Sequence, residues 1–305
     1  MFTLDTISHS ITLSIMRTVG STASRRTGRG RRVPVNGRAV YVEESGRGEP
    51  WVVLESGAGC GRTFWDPVLP LLADSARVVS YDRSGRPLTG HPVEQLGIDD
   101  LAADLVAMID AVVPGEFVLV AHSMGGMVAR LAAERLGVRL RGLLLADALP
   151  ETSPVYDTWD RTTEQVDRML AITGRLSRFR PLARLFTRDI RSLYSAGTSE
   201  VMLAEDFTPA GIAQTRSEMR TVAAAIRRFR AAPPPLPACP TIVLSVSNAA
   251  RGREAQHASI REHQRRYAES LPDGRYEIVV SGHMLQAEQP DLVAARIRQL
   301  IDAAA

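Results

Sequence analysis

The chain contains no lysine, so all 37 of its basic residues are arginines. This absence excludes Schiff-base and pyridoxal chemistry, because both need a lysine amine. Cysteine is scarce as well: Cys60 and Cys239 are the only two in 305 residues, too few for a disulfide framework and without the spacing of a metal site. We therefore predict two free thiols, no metal and no cofactor.

Long hydrophobic runs are also missing. No segment approaches the ~18 uninterrupted apolar residues that favour a transmembrane helix. The first residues lack the charged region and the small-residue cleavage site of a signal peptide. These absences predict a cytoplasmic protein with no membrane partner.

The net charge of +3 comes from one end of the chain. Residues 1–32 hold six arginines against one aspartate, which leaves the remainder with a net charge near −2. The basic run at 25–32 contains no aromatic residues, so it does not predict a nucleic-acid partner. We expect a disordered basic tail over residues 1–32. The sequence leaves the oligomeric state open.

An apolar run at 118–126 reads Val-Leu-Val-Ala-His-Ser-Met-Gly-Gly and is the most informative motif present. A serine on a tight turn from strand to helix needs small residues two positions before and after it, because the helix passes close to the strand. Ala121 and Gly125 meet that need around Ser123. The helix expected at 127–136 would direct its N-terminal amides towards negative charge forming on a substrate oxygen.

Three other segments accompany this motif in a consistent order. An apolar strand with a glycine-rich turn at 51–59 could supply a second backbone amide to the same oxygen. A strand at 77–85 ends in an Asp-Arg turn, and the last strand candidate ends in the segment Ser-Gly-His-Met, which presents His283. A histidine at that place is suited to act as a general base.

Together these segments resemble the α/β-hydrolase superfamily, and in particular its serine esterases and thioesterases with a helical cap. The resemblance covers residues 33–305. It implies that Ser123 is the nucleophile and His283 the base. It also implies that the backbone N–H groups of Met124 and Ala58 form the oxyanion hole.

The predicted fold class is α/β, with a doubly wound, mostly parallel sheet. Seven strand candidates are largely apolar along their length, which favours strands covered by helices on both faces. They lie at 39–43, 51–55, 78–81, 117–121, 142–147, 241–246 and 276–280. Helical segments alternate with them, as doubly wound sheets require.

The block at 151–237 interrupts this alternation, since it contains helical patterns and no convincing strand. The resemblance makes this block a helical cap inserted between the core segments 33–150 and 238–305. Eight apolar residues of the block either line an acyl pocket or pack within the cap itself: Met169, Leu170, Leu182, Leu185, Phe186, Met202, Leu203 and Phe207.

The carboxylate that would orient His283 has two candidates. The family most often places this acid after the strand before the last one, but the segment 241–253 contains no carboxylate, and Glu254 is the first one beyond it. Asp147 ends the strand after the nucleophile, where some members, lipases among them, place the acid. Because ligands bind at that edge of a parallel sheet, we favour Asp147.

The resemblance implies a serine hydrolase that cleaves an ester, thioester or lactone of a small-molecule acyl substrate through an acyl-enzyme. The Ser-Met-Gly-Gly turn is also similar to that of stand-alone thioesterases in natural-product pathways. Acyl transfer or cyclisation and carbon–carbon hydrolysis are alternatives that use the same triad. A receptor that binds a small ligand without catalysis is a further alternative on this fold.

Overall fold

An eight-stranded sheet forms the centre of the molecule in the computed structural model, which describes residues 30–249 and 252–304. The strand order is β1-β2-β4-β3-β5-β6-β7-β8. The strands are β1 (Arg31–Val35), β2 (Arg38–Gly46), β3 (Trp51–Glu55), β4 (Arg77–Asp82), β5 (Phe117–His122), β6 (Leu140–Ala146), β7 (Thr241–Val246) and β8 (Gly274–Val279).

The sheet is mostly parallel, which confirms the predicted fold class. Strands β3 to β8 run parallel to one another, whereas β1 and β2 join the edge in antiparallel pairing. Strands β3, β5 and β7 are buried along their whole length. Their largely apolar character follows from helices that cover both faces.

Strand β1 lies partly in the segment predicted as a disordered tail, so that boundary is wrong for Arg31 and Arg32. Their side chains are exposed, whereas Val33 and Val35 are buried. A strand that buries one face needs only alternating apolar residues, and five residues give too short an alternation to recognise. Residues 1–29 of the predicted tail lie outside the described residues.

Helices flank the sheet and fill the connection between β6 and β7. They are α1 (Leu69–Leu72), α2 (Ile98–Val112), α3 (Gly125–Leu136), α4 (Trp159–Leu176), α5 (Arg180–Phe186), α6 (Arg188–Arg191), α7 (Ala196–Glu205), α8 (Pro209–Ala231), α9 (Glu254–Ser270), α10 (Leu285–Glu288) and α11 (Pro290–Ala304). The inserted helical cap comprises α4 to α8, within which α4 packs along α8.

Two hydrophobic clusters lie on opposite faces of the sheet. Val118 packs into the cluster with α1 and α11, and Leu119 packs into the cluster with α2 and α3. The cap helix α8 joins the second cluster through Val222 and Ile226. Within the described ranges, none of the helices combines the length and hydropathy needed to cross a membrane.

Candidate active site

Ser123 lies on a sharp turn between β5 and α3. Its φ of +54° is in the left-handed region, which residues other than glycine rarely adopt. A Cβ at Gly125 would lie 2.6 Å from the Ser56 carbonyl oxygen. A Cβ at Gly126 would lie 2.4 Å from the Ala148 Cβ. Both glycines are therefore needed for the helix to pass this close to the sheet, and the turn leaves Ser123 partly exposed.

Asp147 follows the neighbouring strand at the same level. His122 of β5 is in register with Ala146 of β6, so Ser123 and Asp147 are the next residues on adjacent parallel strands. Asp147 also has a positive φ, +45°, a conformation that aspartate adopts more readily than most residues. The two side chains therefore meet at the carboxyl edge of the sheet, where ligands bind in open α/β folds.

His283 lies four residues beyond β8 and contacts both of these side chains. Its Nδ1 is 2.6 Å from Asp147 Oδ2, and its Nε2 is 3.1 Å from Ser123 Oγ. Both distances are within the ~2.6–3.2 Å of a catalytic hydrogen bond. Glu254, the other candidate acid, begins α9, where its Oε1 accepts a hydrogen bond from the Gly252 N–H at 3.0 Å. The structure thus brings Asp147 to His283.

The pKa values of the pair are shifted in opposite directions. Burial alone would raise the pKa of Asp147, but its hydrogen bonds with His283 and Gln264 and the charge of His283 hold that pKa below its usual value. Burial alone would lower the pKa of His283. The hydrogen bond with Asp147 and the negative charge of Asp147 outweigh the effect of burial, so the pKa is raised. The His283 side chain remains 46% exposed, which leaves it accessible to a substrate.

His122 fixes the loop that carries His283. Its Nε2 lies 2.8 Å from the His283 carbonyl oxygen, which can only accept a hydrogen bond, so Nε2 carries the proton. Burial lowers the pKa of His122 to about 3, and the ring is therefore neutral. His122 also lines the cavity that contains Ser123.

Gln264 of α9 is a partner of Asp147 that the sequence did not reveal. Its Nε2 donates hydrogen bonds to Asp147 Oδ1 at 3.0 Å and to the Ala148 carbonyl at 2.8 Å. Its Oε1 accepts a hydrogen bond from the Ser245 hydroxyl. The side chain is buried, and these contacts hold Asp147 in the orientation that His283 requires. A single glutamine on a polar helix carries no sequence signal of such a role.

The glycine-rich turn after β3 is held by buried charges. Arg83 donates hydrogen bonds to the carbonyl groups of Ser56 and Gly57. Glu218 of the cap helix α8 accepts a hydrogen bond from the Gly59 N–H at 2.7 Å. Within residues 30–249 and 252–304, no protein group accepts a hydrogen bond from the backbone N–H of Ala58 or Met124. Both amides are therefore available to a substrate oxygen.

Arg83 also forms ion pairs with two buried carboxylates. It contacts Glu55, which is 0% exposed, and Glu218, which is 2% exposed. Burial raises the pKa of Glu218, but the positive charges of Arg83 and Arg86 outweigh it and hold that pKa below its usual value. These ion pairs link the sheet, the glycine-rich turn and the cap.

Replacing Arg83 with methionine should lower the free energy of unfolding by about 3–5 kcal/mol, because it would leave Glu55 and Glu218 buried without this cation. Urea denaturation measures the change. The control is Arg47→Met, since the ion pair of Arg47 with Asp74 is exposed and should contribute little. Equal stability of the two variants would show that the network does not stabilise the fold.

A cavity of about 340 Å³ contains Ser123, His283 and Asp147 in its wall. One face of α4 supplies much of the apolar lining, and α8 and the segment before α4 complete it. The apolar residues from these elements are Val155, Tyr156, Trp159, Val166, Met169, Leu170, Met219 and Val222. Cys60 also lines the cavity, where burial raises the pKa of its thiol to about 12, so the thiol stays protonated.

Of the eight cap residues considered for an acyl pocket, Met169 and Leu170 line this cavity. The other six lie elsewhere, because neither α5 to α7 nor Phe207, which follows α7, is part of its wall: Leu182, Leu185, Phe186, Met202, Leu203 and Phe207. Met202 and Phe207 pack in a small cluster with Phe64 and Cys60, of which Cys60 alone among these four reaches the cavity wall. A helical apolar pattern does not specify which neighbour a helix packs against, so the sequence could not separate the two groups.

Comparisons with known proteins identify relatives over most of the core. The model of the alpha/beta hydrolase family matches residues 52–296. A 2-heptyl-3-hydroxy-4-quinolone dioxygenase of Rhodococcus erythropolis is 36% identical over 124 residues, which cover 39% of this chain and 46% of that protein. A 2-hydroxy-6-oxo-2,4-heptadienoate hydrolase of Pseudomonas putida is 32% identical over 135 residues, covering 43% and 49%. The chain thus matches less than half the length of either relative.

Solved structures share the whole fold. A thermophilic esterase from Thermogutta terrifontis superposes with a TM-score of 0.65 at 23% identity, covering 90% of this chain and 99% of the esterase. A likeness at this level of identity concerns the fold alone. It extends the similarity across the cap as well as the sheet.

Proposed function

The chain belongs to the alpha/beta hydrolase family, and from this premise we propose that it is a serine hydrolase that cleaves an ester, thioester or lactone through an acyl-enzyme. The observation that carries the proposal is the chain of contacts from Asp147 through His283 to Ser123, at 2.6 Å and 3.1 Å. This is the arrangement that activates a serine hydroxyl for attack on a carbonyl carbon.

In the first half of the reaction, Ser123 Oγ attacks the substrate carbonyl carbon while His283 Nε2 takes the hydroxyl proton. The negative charge that develops on the carbonyl oxygen is stabilised by the N–H groups of Ala58 and Met124. His283 then gives its proton to the leaving alcohol or thiol, and the acyl group stays on Ser123. In the second half, water attacks this acyl-enzyme with His283 again as base, which releases the acid and restores the serine.

A fluorophosphonate probe tests the proposal directly, because it reacts with an activated serine and not with an ordinary hydroxyl. We expect labelling at Ser123, located by peptide mass spectrometry, together with hydrolysis of p-nitrophenyl acyl esters. Pretreatment with the probe should abolish that hydrolysis. Ester hydrolysis by a protein that the probe leaves unlabelled at Ser123 would contradict the acyl-enzyme mechanism.

The pH dependence of kcat/KM should report the titration of His283. The base must be neutral to accept the serine proton, and Asp147 raises its pKa above the ordinary value of 6.5. Activity should therefore fall as the pH decreases through a midpoint above 6.5, measured with a p-nitrophenyl ester across buffers of constant ionic strength. A midpoint below 6.5 would show that Asp147 does not stabilise the protonated imidazole.

Met169→Ala should change the preferred acyl group. This residue lines the cavity, so the loss of its apolar contact should lower kcat/KM for long acyl esters relative to the acetyl ester. The discrimination free energy between the two substrates should change by about 1–3 kcal/mol. A series of p-nitrophenyl esters of increasing chain length measures the change. Phe207→Ala is the control, since Phe207 packs beside Phe64 outside the cavity. The same loss at every chain length for Met169→Ala would place that residue in cap packing alone.

A second candidate function is the oxygenation of a hydroxylated aromatic ring. It is favoured by the similarity to the quinolone dioxygenase of Rhodococcus erythropolis, 36% identical over 124 residues. The His283–Asp147 pair can remove a proton from a substrate hydroxyl without attack by Ser123. An oxygen electrode with 2-heptyl-3-hydroxy-4-quinolone distinguishes the two, because Ser123→Ala should retain oxygen uptake under this candidate and Asp147→Asn should lose it.

A further inference from the structure

Helix α9 lines one side of the cavity and gives that side a charge. Arg253, which directly precedes the helix, and four residues of its first turns line the cavity at helical spacing: Arg253, Gln256, His257, Ile260 and Arg261. Positions three to four residues apart lie on the same face of a helix, so these side chains form a continuous stripe. The opposite wall, formed by α4 and α8, is predominantly apolar.

The charges in the cavity do not balance. Among the described residues that line it, Asp147 is the one carboxylate, and it is already hydrogen-bonded to His283 and Gln264. Two guanidinium groups, those of Arg253 and Arg261, line the same space. The α9 side of the cavity is therefore positive.

Of the two arginines, Arg261 is the one whose guanidinium can bind a ligand without losing a contact to a described residue. Its guanidinium forms no hydrogen bond or ion pair in the part of the chain that the structure describes, although the side chain is half-buried. Arg253 lies two turns away at the start of the helix, and its Nη1 is 3.3 Å from Gln256 Oε1. An arginine beside an apolar cavity with five N–H donors unused is well suited to a planar oxyanion.

His257 lies within the fields of both arginines and of the candidate catalytic pair. Burial lowers its pKa, Asp147 opposes that shift, and the positive charges of Arg261, His283 and Arg253 lower the pKa further. The imidazole is therefore neutral near pH 7 and can donate one hydrogen bond. Its position links the positive side of the cavity to the place where Ser123 would be acylated.

We propose that Arg261, together with Arg253 and His257, binds an oxyanionic group of the substrate, a carboxylate or a phosphate at the far end of an apolar acyl group. This inference rests on the proposed function and names its substrate class: an ester whose acyl portion carries a second, negatively charged end. The apolar wall of α4 and α8 contacts the middle of such a molecule, and the positive stripe of α9 binds its end. Electrostatic complementarity of this kind selects one substrate over a neutral isostere.

Matched esters test the proposal. Mono-p-nitrophenyl adipate carries a free carboxylate, and its methyl ester is a neutral molecule of nearly the same shape. We expect kcat/KM to favour the anionic ester, and Arg261→Gln to lower the ratio of the two values by roughly tenfold to a hundredfold, because a charge-assisted hydrogen bond is lost. Arg261→Lys should retain part of the preference, since it keeps the charge without the bidentate geometry.

Arg266→Gln is the matched control on the same helix. Arg266 is exposed, pairs with Glu262 at 2.8 Å and does not line the cavity, so the substrate ratio should stay as in the wild-type protein. Competition by inorganic phosphate and by butyrate distinguishes the two oxyanions. The stronger inhibitor identifies the group that the site prefers, and Arg261→Gln should weaken its inhibition.

Two results would overturn the inference: equal kcat/KM for the two esters in the wild-type protein, or an unchanged ratio in Arg261→Gln. If hydrolysis of the neutral ester still depends on Ser123, the proposed function stands and the oxyanion site alone is wrong. If neither ester is hydrolysed, the proposed function fails. Calorimetric binding of adipate to the wild-type protein and to Arg261→Gln then decides the oxyanion site separately, and equal binding to both would reject it.

Discussion

Ser123→Ala should abolish turnover of an activated ester and lower kcat by on the order of 10⁶. The substitution removes the one hydroxyl that lies 3.1 Å from His283 Nε2, and with it the atom that would carry the acyl group. It keeps the Cβ and adds no atoms to the turn, so the fold should be retained. Hydrolysis of p-nitrophenyl butyrate measures the loss, and the melting temperature checks the fold.

Ser270→Ala is a suitable control, because that hydroxyl is exposed at the end of α9 and bonds only to the Tyr267 carbonyl among described residues. Fluorophosphonate labelling should disappear in Ser123→Ala and persist in the control. Retention of even a tenth of the ester hydrolysis by Ser123→Ala would exclude the serine as nucleophile. Oxygen uptake that survives the substitution would instead favour the second candidate function.

Much of the parallel part of the fold could be predicted from the sequence, because strands such as β3, β5 and β7 are buried on both faces. A strand such as Thr241–Val246 is buried along its whole length and consists mainly of apolar residues, and this pattern stands out without knowledge of its neighbours. Strand β1 could not be found in the same way. It buries only Val33 and Val35, and the two arginines before them resemble the charged segment that precedes the strand.

Local turn chemistry made Ser123 predictable, because the glycines at 125 and 126 follow it directly in the chain. The residues that support the site are distant in sequence and carry no such signal. Gln264 is 117 positions from Asp147, and Glu218 is 159 positions from Gly59. These pairs meet only because the cap and α9 fold back over the carboxyl edge of the sheet.

Asp147→Asn should preserve the fold and lower kcat by roughly 10⁴. Asparagine tolerates the positive φ at this position as well as aspartate does. The Gln264 N–H would bind the new amide oxygen, as it binds Asp147 Oδ1 at 3.0 Å, and this turns the amide NH₂ towards His283 Nδ1. Nδ1 must then accept a hydrogen bond, so the imidazole proton moves to Nε2, where it prevents the ring from taking the serine proton.

A comparison of Asp147→Asn with Glu254→Gln distinguishes the two candidate acids. Glu254→Gln should leave kcat nearly unchanged, since Glu254 lies at the start of α9 and Asp147 occupies the contact with His283 Nδ1. Kinetics with p-nitrophenyl butyrate across a range of pH measures both variants. In Asp147→Asn the acid limb of the pH profile should move to lower pH, because the negative charge that raises the pKa of His283 is removed. A large loss of kcat in Glu254→Gln with little loss in Asp147→Asn would identify Glu254 as the acid that orients His283. If neither substitution mattered, Ser123 and His283 would act as a dyad, and a carboxylate would not be what orients the imidazole.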